Sequence, residues 1–514
     1  MAEYLSPGVF IQEKNTGQVP MQGVSTATLC VAGWFERGPV NEMTFLSSSS
    51  ELSRLFGGVK SYLNTDEGYE GVACEYYKAP MAILGYFANG GTRVYVLRIP
   101  GAGASIAEVV VPGYPSGTAW HVKAISPGFW GNRVKVAYQQ NEDQTGWYVS
   151  VYFKELPSDA DYLLVEQYSD VNFEDPNSQN YVTAVINDAS NYIEFVQEGG
   201  DIGGRPYGDE VAGDSLTGGF DGTRVTPLTA SNLENIDQVQ EMMLLIAPDD
   251  CGTAQQANTD KALITYCEAG SGSKRTDCFA VLTTPKGKTP QEAIAYASTT
   301  LNKNTSRAAL YYPWVKVINP VSLATDVFPP IGHIAGVYAR TDITRNVAKA
   351  PAGVTDGALS GIVGVERTLT KAERDAVYPY KVNPLINESY TGTAVWGVRT
   401  LSMDPLWRYI NFRRAFQYFE KTTFENTHWV VFEPNTATTR QKVKMQLDAF
   451  LLTHFYEGYF AGKSPTESYY VICDESNNPE ESVAQGLLYI DVGLAIARPA
   501  EFVVFRFAQK TLKG

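Results

Sequence analysis

Short apolar runs alternate with helical patterns between residues 230 and 370, and this alternation constrains the fold of the chain more than any other feature. The predicted strands are 243–247, 278–283 and 308–312, and the predicted helices between them are 258–269 and 290–301. Apolar runs of this length are typical of strands that are buried on both faces. Since helices join one strand to the next, we predict a largely parallel α/β layer.

The region before residue 100 supplies further elements of the same kind. Residues 26–33 and 93–99 are predicted strands, and 47–56 is a predicted helix. Serines at the start of this helix supply N-cap oxygens, and two glycines end it. We therefore assign residues 24–100 and 223–375 to one α/β core.

The segment from 101 to 222 has a different character. It carries alternating runs rich in valine and tyrosine, such as 134–138 and 147–153, separated by acidic loops. Residues 101–220 contain 17 Asp and Glu but 5 Lys and Arg, against a net charge of −15 for the whole chain. This pattern predicts an acidic, β-rich domain that is inserted in the core and faces solvent.

Residues 376–497 are predicted to form an α+β C-terminal domain. One long helix starts at Asp404-Pro405, a capping residue followed by a proline that suits the first helical position, and runs to about Asn426. The second helix covers 438–457. Its apolar residues recur at steps of three and four, as expected for an amphipathic helix, at Val443, Leu447, Phe450, Leu451 and Phe455. Strands are predicted at 469–473, 487–497 and 502–507.

Both ends of the chain are predicted to carry a strand on a tether, so we separate residues 1–23 and 498–514 as arms. A stretch rich in Gln, Gly and Pro follows the first strand signal, and Arg498-Pro499-Ala500 precedes the last one. The candidate strand residues are Val9, Phe10, Ile11, Gln12, Phe502, Val503, Val504, Phe505, Arg506 and Phe507. Such strands can pair with the sheet of a neighbouring subunit. The alternatives are an ordinary edge strand at the N-terminus and a strand that completes the C-terminal domain.

Basic residues lie on or near the two long helices. They are Arg413, Arg414, Lys421, Arg440, Lys442 and Lys444. One interpretation is a face toward an acidic partner. The other is a solvated face, or ion pairs within the domain with Glu420, Glu425 and Asp448.

Composition disfavours several classes of function. A net charge of −15 argues against direct binding of nucleic acid. The six cysteines form no CxxC pair and the four histidines have no paired-ligand spacing, so we predict buried thiols without a zinc site or disulfides. The apolar runs are far shorter than the ~20 residues that span a bilayer, and the N-terminus does not resemble a secretory signal. We expect a cytoplasmic protein with no stable membrane insertion.

An enzyme is one alternative class of protein, but the sequence motifs that would indicate one are weak. Residues 270–276 superficially resemble a phosphate-binding loop, but no glycine directly precedes Lys274 and a helix precedes the loop. There is no GxSxG motif, and His333 is a lone histidine among apolar residues. We predict no catalytic, cofactor or metal residue.

A carbohydrate- or receptor-binding module is the second alternative. Aromatic residues of the inserted segment could stack on sugars, although such residues more often form a core. They are Trp120, Trp130, Trp147 and Tyr148.

Short motifs along nearly the whole chain resemble one family. The segments 4–13, 23–26, 37–39 and 497–505 resemble the two ends of contractile phage tail sheath proteins. Internal segments are also similar to that family, namely 126–132, 216–222, 311–314, 329–342, 349–352, 395–401, 408–411 and 432–435. One departure is Arg345-Asn346, where the family pattern leads us to expect a glycine.

The resemblance implies a structural subunit and no enzyme or cofactor. Sheath subunits assemble as hexameric rings in a helix around a tail tube, and contraction drives the tube through the target envelope. The implied partners are neighbouring sheath subunits, the tail tube protein, and the baseplate and tail terminator proteins. The inserted segment becomes the outer domain, and the basic helices become candidates to face the tube. The implied location is the virion tail sheath, assembled in the host bacterial cytoplasm. A phage tail, a bacteriocin and a protein-delivering injection system all stay open.

Overall fold

The structure is a computed structural model. The described residues are 21–59, 78–111, 120–143, 145–155, 159–197, 206, 210–222, 227–249, 252–268, 275–320, 323–388 and 392–501. The chain divides into two compact units. The larger unit is Ser25–Arg414, and the C-terminal unit combines Met1–Val24 with Ala415–Gly514.

The larger unit contains eighteen strands within the described residues. They are β1 (Thr28–Gly33), β2 (Met43–Leu46), β3 (Arg93–Arg98), β4 (Glu108–Val110), β5 (Trp120–Ala124), β6 (Val134–Gln140), β7 (Trp147–Phe153), β8 (Leu163–Val171), β9 (Ile193–Gln197), β10 (Glu210–Ser215), β11 (Met243–Ile246), β12 (Cys278–Thr283), β13 (Ala308–Tyr312), β14 (Val315–Ile318), β15 (Thr325–Phe328), β16 (Gly364–Val365), β17 (Val382–Glu388) and β18 (Gly392–Val395).

Its helices are α1 (Ser49–Phe56), α2 (Lys78–Ala88), α3 (Thr253–Glu268), α4 (Pro290–Ala295), α5 (Ile331–Thr344) and α6 (Lys371–Val377). Short 3-10 turns lie at Phe129–Arg133, Ala230–Gln238, Tyr378–Tyr380 and Pro405–Trp407. A π-helical segment, Tyr296–Leu301, continues α4, so the helix predicted over 290–301 is present in two parts. Helix α7 (Ile410–Asn426) starts in the larger unit and continues into the C-terminal one.

The central sheet has eight strands in the order β18-β17-β13-β12-β11-β1-β3-β2. The six strands from β17 to β3 are mutually parallel, and the strands at the two edges, β18 and β2, are antiparallel to their neighbours. The predicted α/β layer is therefore confirmed. Strand β12 begins and ends at the predicted residues, and β13 does so too.

Both faces of this sheet are apolar, which explains why its strands lack polar alternation. Along β1, Leu29 and Val31 point into one buried cluster, and Cys30 and Ala32 point into another. Helices α2 and α5 contribute to the first cluster, and α3 and α4 to the second. The strands thus bury side chains on both faces of the sheet, because helices cover each face.

Two predicted boundaries differ from the structure. Strand β17 pairs in parallel with β13, with Leu310 opposite Val382, so the boundary predicted at 375/376 falls within the region that shares the central sheet. The compact larger unit extends to Arg414. Asp404 does act as a cap, but its side chain accepts from the Leu406 amide in a 3-10 turn, and α7 begins only at Ile410.

Arg345, the first of the two residues where the family pattern leads us to expect a glycine, ends α5 with a φ of −121°. Neither Arg345 nor Asn346 has a positive φ, so this site does not adopt the left-handed conformation that favours glycine.

The inserted segment forms two antiparallel sheets, β10-β6-β7-β8 and β4-β5-β9. Both contribute to one buried cluster that includes Trp120, Trp130 and Trp147. The chain enters and leaves this insert at one point, where Gly101 donates a backbone hydrogen bond to the Asp221 carbonyl (3.1 Å). A Cβ on Gly101 or Gly222 would lie within 3 Å of the other's backbone, so close approach requires glycine at this crossing.

The C-terminal unit packs the end of α7 against a second long helix. Its other elements are α8 (Ala437–Tyr456), α9 (Pro465–Ser468), β19 (Tyr469–Ile472), α10 (Glu480–Ala484) and β20 (Asp491–Leu494). Aromatic residues of both helices pack edge to face, with ring centroids of Phe419 and Phe450 5.9 Å apart. The Thr436 side chain caps α8 by accepting from the Thr439 amide. The helix predicted over 438–457 is thus confirmed within one residue at each end.

Candidate assembly interface

The C-terminal unit contains a sheet of only two strands. Strands β19 and β20 are antiparallel, with Tyr469 opposite Leu494 and Ile472 opposite Asp491. Within residues 415–501 no third strand joins them. A two-stranded ribbon is marginal by itself, and here α8 supports it from one side, where Val471 and Cys473 are buried. Edges of this kind can accept another strand.

The sheet and the loop before β20 also expose large apolar side chains. Tyr470 is 57% exposed, and Leu487 and Tyr489 are exposed as well. An extended segment that pairs with this ribbon would gain backbone hydrogen bonds and cover apolar surface at the same time.

The chain just before the larger unit is bound to α7. The Asn426 side chain accepts from the Gln22 amide (3.1 Å) and donates to the Gln22 carbonyl (3.0 Å), so it pairs with this residue as a neighbouring strand would. The Val24 amide donates to the Thr422 hydroxyl, 3.3 Å away. At Gly23 a Cβ would come within 2.1 Å of the Tyr418 hydroxyl, so glycine is required for this contact.

This contact corrects one prediction about the arms. Residues 22 and 23 were assigned to a tether detached from the main body, but they are hydrogen-bonded to or packed on α7. The predicted strand residues Val9, Phe10, Ile11 and Gln12, and Phe502 to Phe507, lie outside the described residues. The flanking described residues, Met21 and Glu501, both belong to the C-terminal unit.

The two arginines of α7 are interior residues. Arg414 is 1% exposed and forms a two-pronged ion pair with Asp342 at 2.9 and 2.6 Å, while its guanidinium lies 5.0 Å from the Tyr338 ring centroid. Arg413 is buried with its guanidinium 4.7 Å from the Trp407 ring centroid. The prediction that these two residues face a partner is wrong for this fold, because each is enclosed within the larger unit.

The basic residues of the C-terminal unit divide into buried and exposed ones. Lys421 is buried beside Glu425 (3.4 Å), and Arg440 is buried and donates to the Asn435 side chain (2.9 Å). Lys442 is exposed on α8. Lys444 is half-buried. Burial raises the pKa of Asp448, and the charge of Lys444 partly offsets this increase. Lys442 and Lys444 stay candidates for a partner surface.

An exposed apolar surface beside these lysines was missed by the sequence analysis. Phe432 is fully exposed with φ of 71°, a left-handed conformation that is unusual for a bulky residue. Met445 is exposed one turn after Lys442, and the Trp429 indole donates to the Gln446 side chain (3.0 Å). The loop is thus fixed to α8. The sequence feature that could have located this surface is the motif 432–435, which the sequence analysis noted for its similarity to sheath proteins.

The four candidate aromatic residues of the insert do not form a sugar-binding platform. Trp120, Trp130 and Trp147 are buried in the core of the insert, and only Tyr148 of the four candidates is exposed. The interpretation of these tryptophans as stacking residues is therefore wrong.

Features that suggested chemistry have structural roles. His333 is buried, and burial lowers its pKa to about 4. Cys30, Cys267, Cys278 and Cys473 are buried free thiols, as predicted, whereas Cys74 and Cys251 lie outside the described residues. Arg275, at the end of the loop 270–276, pairs with Asp277 (2.8 Å). Across the described part of the chain, we find no group of three metal-ligating side chains and no helix long and apolar enough to cross a membrane.

Comparison with solved structures identifies the fold. The fold is similar to the sheath complex of an extracellular contractile injection system in its contracted state, with a TM-score of 0.59 and 21% identity over 99% of both chains. It is also similar to the sheath tail protein of Listeria innocua, with a TM-score of 0.60 and 12% identity over 93% of this chain and 96% of that one. The fold is that of a sheath protein.

Sequence comparison then gives the family. Residues 230–401 match the model of the phage tail sheath protein central domain, and residues 402–510 match that of the phage tail sheath C-terminal domain. The two matches cover more than half of the chain, which therefore belongs to the phage tail sheath family. The tail sheath protein of Vibrio phage KVP40 is 27% identical over 180 residues, 35% of this chain and 26% of that protein. The chain thus spans about a quarter of the length of that relative.

Proposed function

We propose that this chain is the structural subunit of a contractile sheath, which polymerises as a helical cylinder around a tube and contracts to drive the tube through a target envelope. The observation that carries the proposal is the two-stranded sheet β19–β20, which no other strand of residues 415–501 joins, in the same unit that holds Gln22 and Glu501. The sheet that would accept added strands therefore belongs to the same unit as the residues that adjoin the two arms.

The arms would connect neighbouring subunits by strand exchange. Residues 8–12 of one subunit, and residues 502–509 of another, would add to the β19–β20 sheet of a neighbour. Each backbone hydrogen bond formed in this way contributes about 0.5–1.5 kcal/mol. Residues 13–21 and 498–500 would bend while the strands stay paired, so that subunits rotate and slide without separating.

The tube contact would use the exposed side of α8. Lys442 and Met445 lie one turn apart there, and Trp429 is held beside them by Gln446. Exposed ion pairs contribute roughly 0–1 kcal/mol each, which suits a contact that must be released during contraction.

The remaining parts of the proposal concern partners and location. We propose hexameric rings of this chain, stacked between a baseplate and a tail terminator, in the tail sheath of a particle assembled in the bacterial cytoplasm. The role is mechanical, with no catalysis, cofactor, nucleic-acid contact or membrane insertion. One similar structure belongs to the baseplate of the anti-feeding prophage, with a TM-score of 0.58, which supports a place in a contractile particle.

Negative-stain electron microscopy tests this proposal directly. The purified chain is imaged alone and with the tube protein encoded beside it. Long hollow cylinders with six-fold symmetry are the expected result. Monodisperse particles at all salt and protein concentrations, with no cylinders even on the tube, would overturn it.

A further inference from the structure

Three of the short motifs meet at the junction between the α/β core and the insert. The motif 37–39 lies in the core turn 35–39, the motif 126–132 lies in the insert loop 126–133, and the motif 216–222 is the last segment of the insert. Their contacts involve three buried arginines, and we call this set the junction clamp: Glu36, Arg37, Arg98, Arg133, Asn132 and Asp221.

Arg98, at the end of β3, holds the core turn and the insert together. Its guanidinium donates to the carbonyls of Phe35 (3.2 Å), Glu36 (3.2 Å) and Gly38 (2.9 Å) in the core turn. It also donates to the Pro127 carbonyl in the insert, 2.7 Å away. Arg98 is 3% exposed, so these carbonyls replace the water that its charge would otherwise bind.

Arg37 extends from the core turn into an aromatic cage of the insert. Its guanidinium carbon lies 4.8 Å from the ring centroid of Tyr192, 5.2 Å from that of Phe153 and 5.9 Å from that of Trp130. On its other side it donates to the carbonyls of Ser53 and Arg54 in the last turn of α1, the end of a helix that favours a cation. One buried side chain thus contacts a core helix and three rings of the insert.

Glu36 and Arg133 form a buried ion pair across the same junction. Their side chains are almost completely inaccessible to solvent. Arg133 also lies over the Phe153 ring (5.0 Å) and donates to the Lys154 carbonyl (3.3 Å).

Hydrogen bonds close the junction on the exit side. The Asn132 side chain donates to the Gly219 carbonyl (3.0 Å) and accepts from its amide (2.8 Å). The Phe129 amide donates to the Asp221 carboxylate (3.2 Å). The insert loop 126–133 is therefore fixed to the segment through which the chain leaves the insert.

We infer that the junction clamp makes the insert and the α/β core unfold as one cooperative unit. If the insert unfolded alone, Glu36 would lose its ion pair with Arg133, Arg37 would lose its aromatic cage, and Arg98 would lose the Pro127 carbonyl. Separate unfolding of the insert therefore forfeits the contacts of three buried arginines as well as those inside the insert, and this added free energy suppresses it. This inference concerns folding and does not depend on the sheath function.

Hydrogen exchange of the full chain in rising urea tests the inference by mass spectrometry. In the wild type we expect peptides from β6 and β7 in the insert and from β11 and β12 in the core to lose protection at the same urea concentration. In Arg37→Met the insert peptides should lose protection at a clearly lower urea concentration than the core peptides. The matched control is Arg54→Met, because Arg54 is exposed and donates to Asn191 across the same junction (3.1 Å). Its two sets of peptides should stay coincident.

Two results would overturn the inference. One is separate loss of protection in the wild type, and the other is coincident loss in Arg37→Met. Should Arg37→Met fail to fold, Arg37→Lys decides the question, since it keeps the charge but removes the planar group that stacks in the cage. In Arg37→Lys we expect a smaller difference between the urea concentrations at which insert and core peptides lose protection. Coincident loss in the two sets of peptides, as in Arg54→Met, would contradict the inference.

Discussion

The central sheet and the β19–β20 sheet differ in what covers them. The strands of the central sheet are buried on both faces by helices, and Leu29 and Cys30 on adjacent positions are equally inaccessible. The β19–β20 sheet is supported by α8 and leaves Tyr470 exposed. The central sheet is thus enclosed within the larger unit, whereas the β19–β20 sheet is the one proposed above to pair with other chains.

Charged residues repeat this contrast. Arg414 is enclosed and paired with Asp342, and Lys442 is exposed on the neighbouring helix. A buried charge whose partner is removed is strongly destabilising, while an exposed charge contributes little to stability. Changes in the larger unit should therefore alter unfolding, and changes in the C-terminal unit and its arms should alter assembly.

The largest expected effect is on assembly. Deletion of residues 1–20 should abolish polymerisation and leave the thermal unfolding midpoint of the monomer unchanged, because the deleted strand would pair only with a neighbour. Electron microscopy and calorimetry provide the two measurements. A finer pair is Ile11→Pro, which removes a backbone donor and should impair assembly, and Ile11→Val, which should not. Normal sheaths built from the truncated chain would contradict the strand-exchange model.

The second prediction concerns the buried ion pair of the larger unit. Asp342→Asn leaves Arg414 charged, buried and without its carboxylate, so the free energy of unfolding should fall by about 3–5 kcal/mol. Urea denaturation measures this change. The matched control is Glu388→Gln, which breaks the more exposed pair with Arg374 (2.6 Å) and should cost under about 1 kcal/mol. Equal effects of the two variants would remove the distinction between enclosed and exposed charges.

The third prediction concerns pH and the face of the central sheet covered by α3. Asp260 is buried and accepts from the Tyr296 hydroxyl (2.6 Å), and burial raises its pKa to about 7. In the unfolded chain an Asp has a pKa of about 3.9, so the folded state retains the proton over a wider pH range. The free energy of unfolding should therefore fall as pH rises from about 4 to about 7, by at most about 4 kcal/mol.

Asp260→Asn checks this assignment, because the amide cannot ionise but can still accept from Tyr296. Urea denaturation at a series of pH values should show a smaller decrease between pH 4 and 7 in the variant than in the wild type. If the free energy of unfolding decreased equally with pH in both proteins, the pH dependence would arise from groups other than Asp260.

The smallest expected effect is at the proposed tube surface. Lys442→Gln should weaken binding of the tube protein several-fold at low salt, with a smaller effect at high salt, because exposed charges are screened. The unfolding midpoint should not change. Co-sedimentation measures binding, and Lys303→Gln, an exchange of a partly exposed lysine in the larger unit, is the control. Unchanged co-sedimentation of Lys442→Gln would exclude this residue from the contact.

Local elements were largely predictable from the sequence. The pattern of Val443, Leu447, Phe450 and Leu451 located α8, and these four residues are buried in the structure. The apolar runs of β12 and β13 located two central strands at their observed ends. These predictions succeeded because the periodicity of apolar residues follows the geometry of helices and strands directly.

The candidate interface was only partly predictable. The sequence indicated arms at both ends and basic residues near two helices. It did not indicate that Gln22 is bound by Asn426, 404 residues away, or that Phe432 is held exposed. It also placed the start of the C-terminal domain too early, since nothing local shows that β17 pairs with β13.

The sequence by itself determined the alternation of strands and helices, the β-rich acidic insert and the membership of the sheath family, because apolar spacing, charge distribution and short motifs are properties of neighbouring residues. The tertiary structure alone decided which charges are enclosed. Arg414 and Lys442 look alike in the sequence, but Asp342, 72 residues before Arg414, makes the first an interior residue. Burial of a charge depends on a partner brought from elsewhere in the chain, and only the folded arrangement supplies that partner.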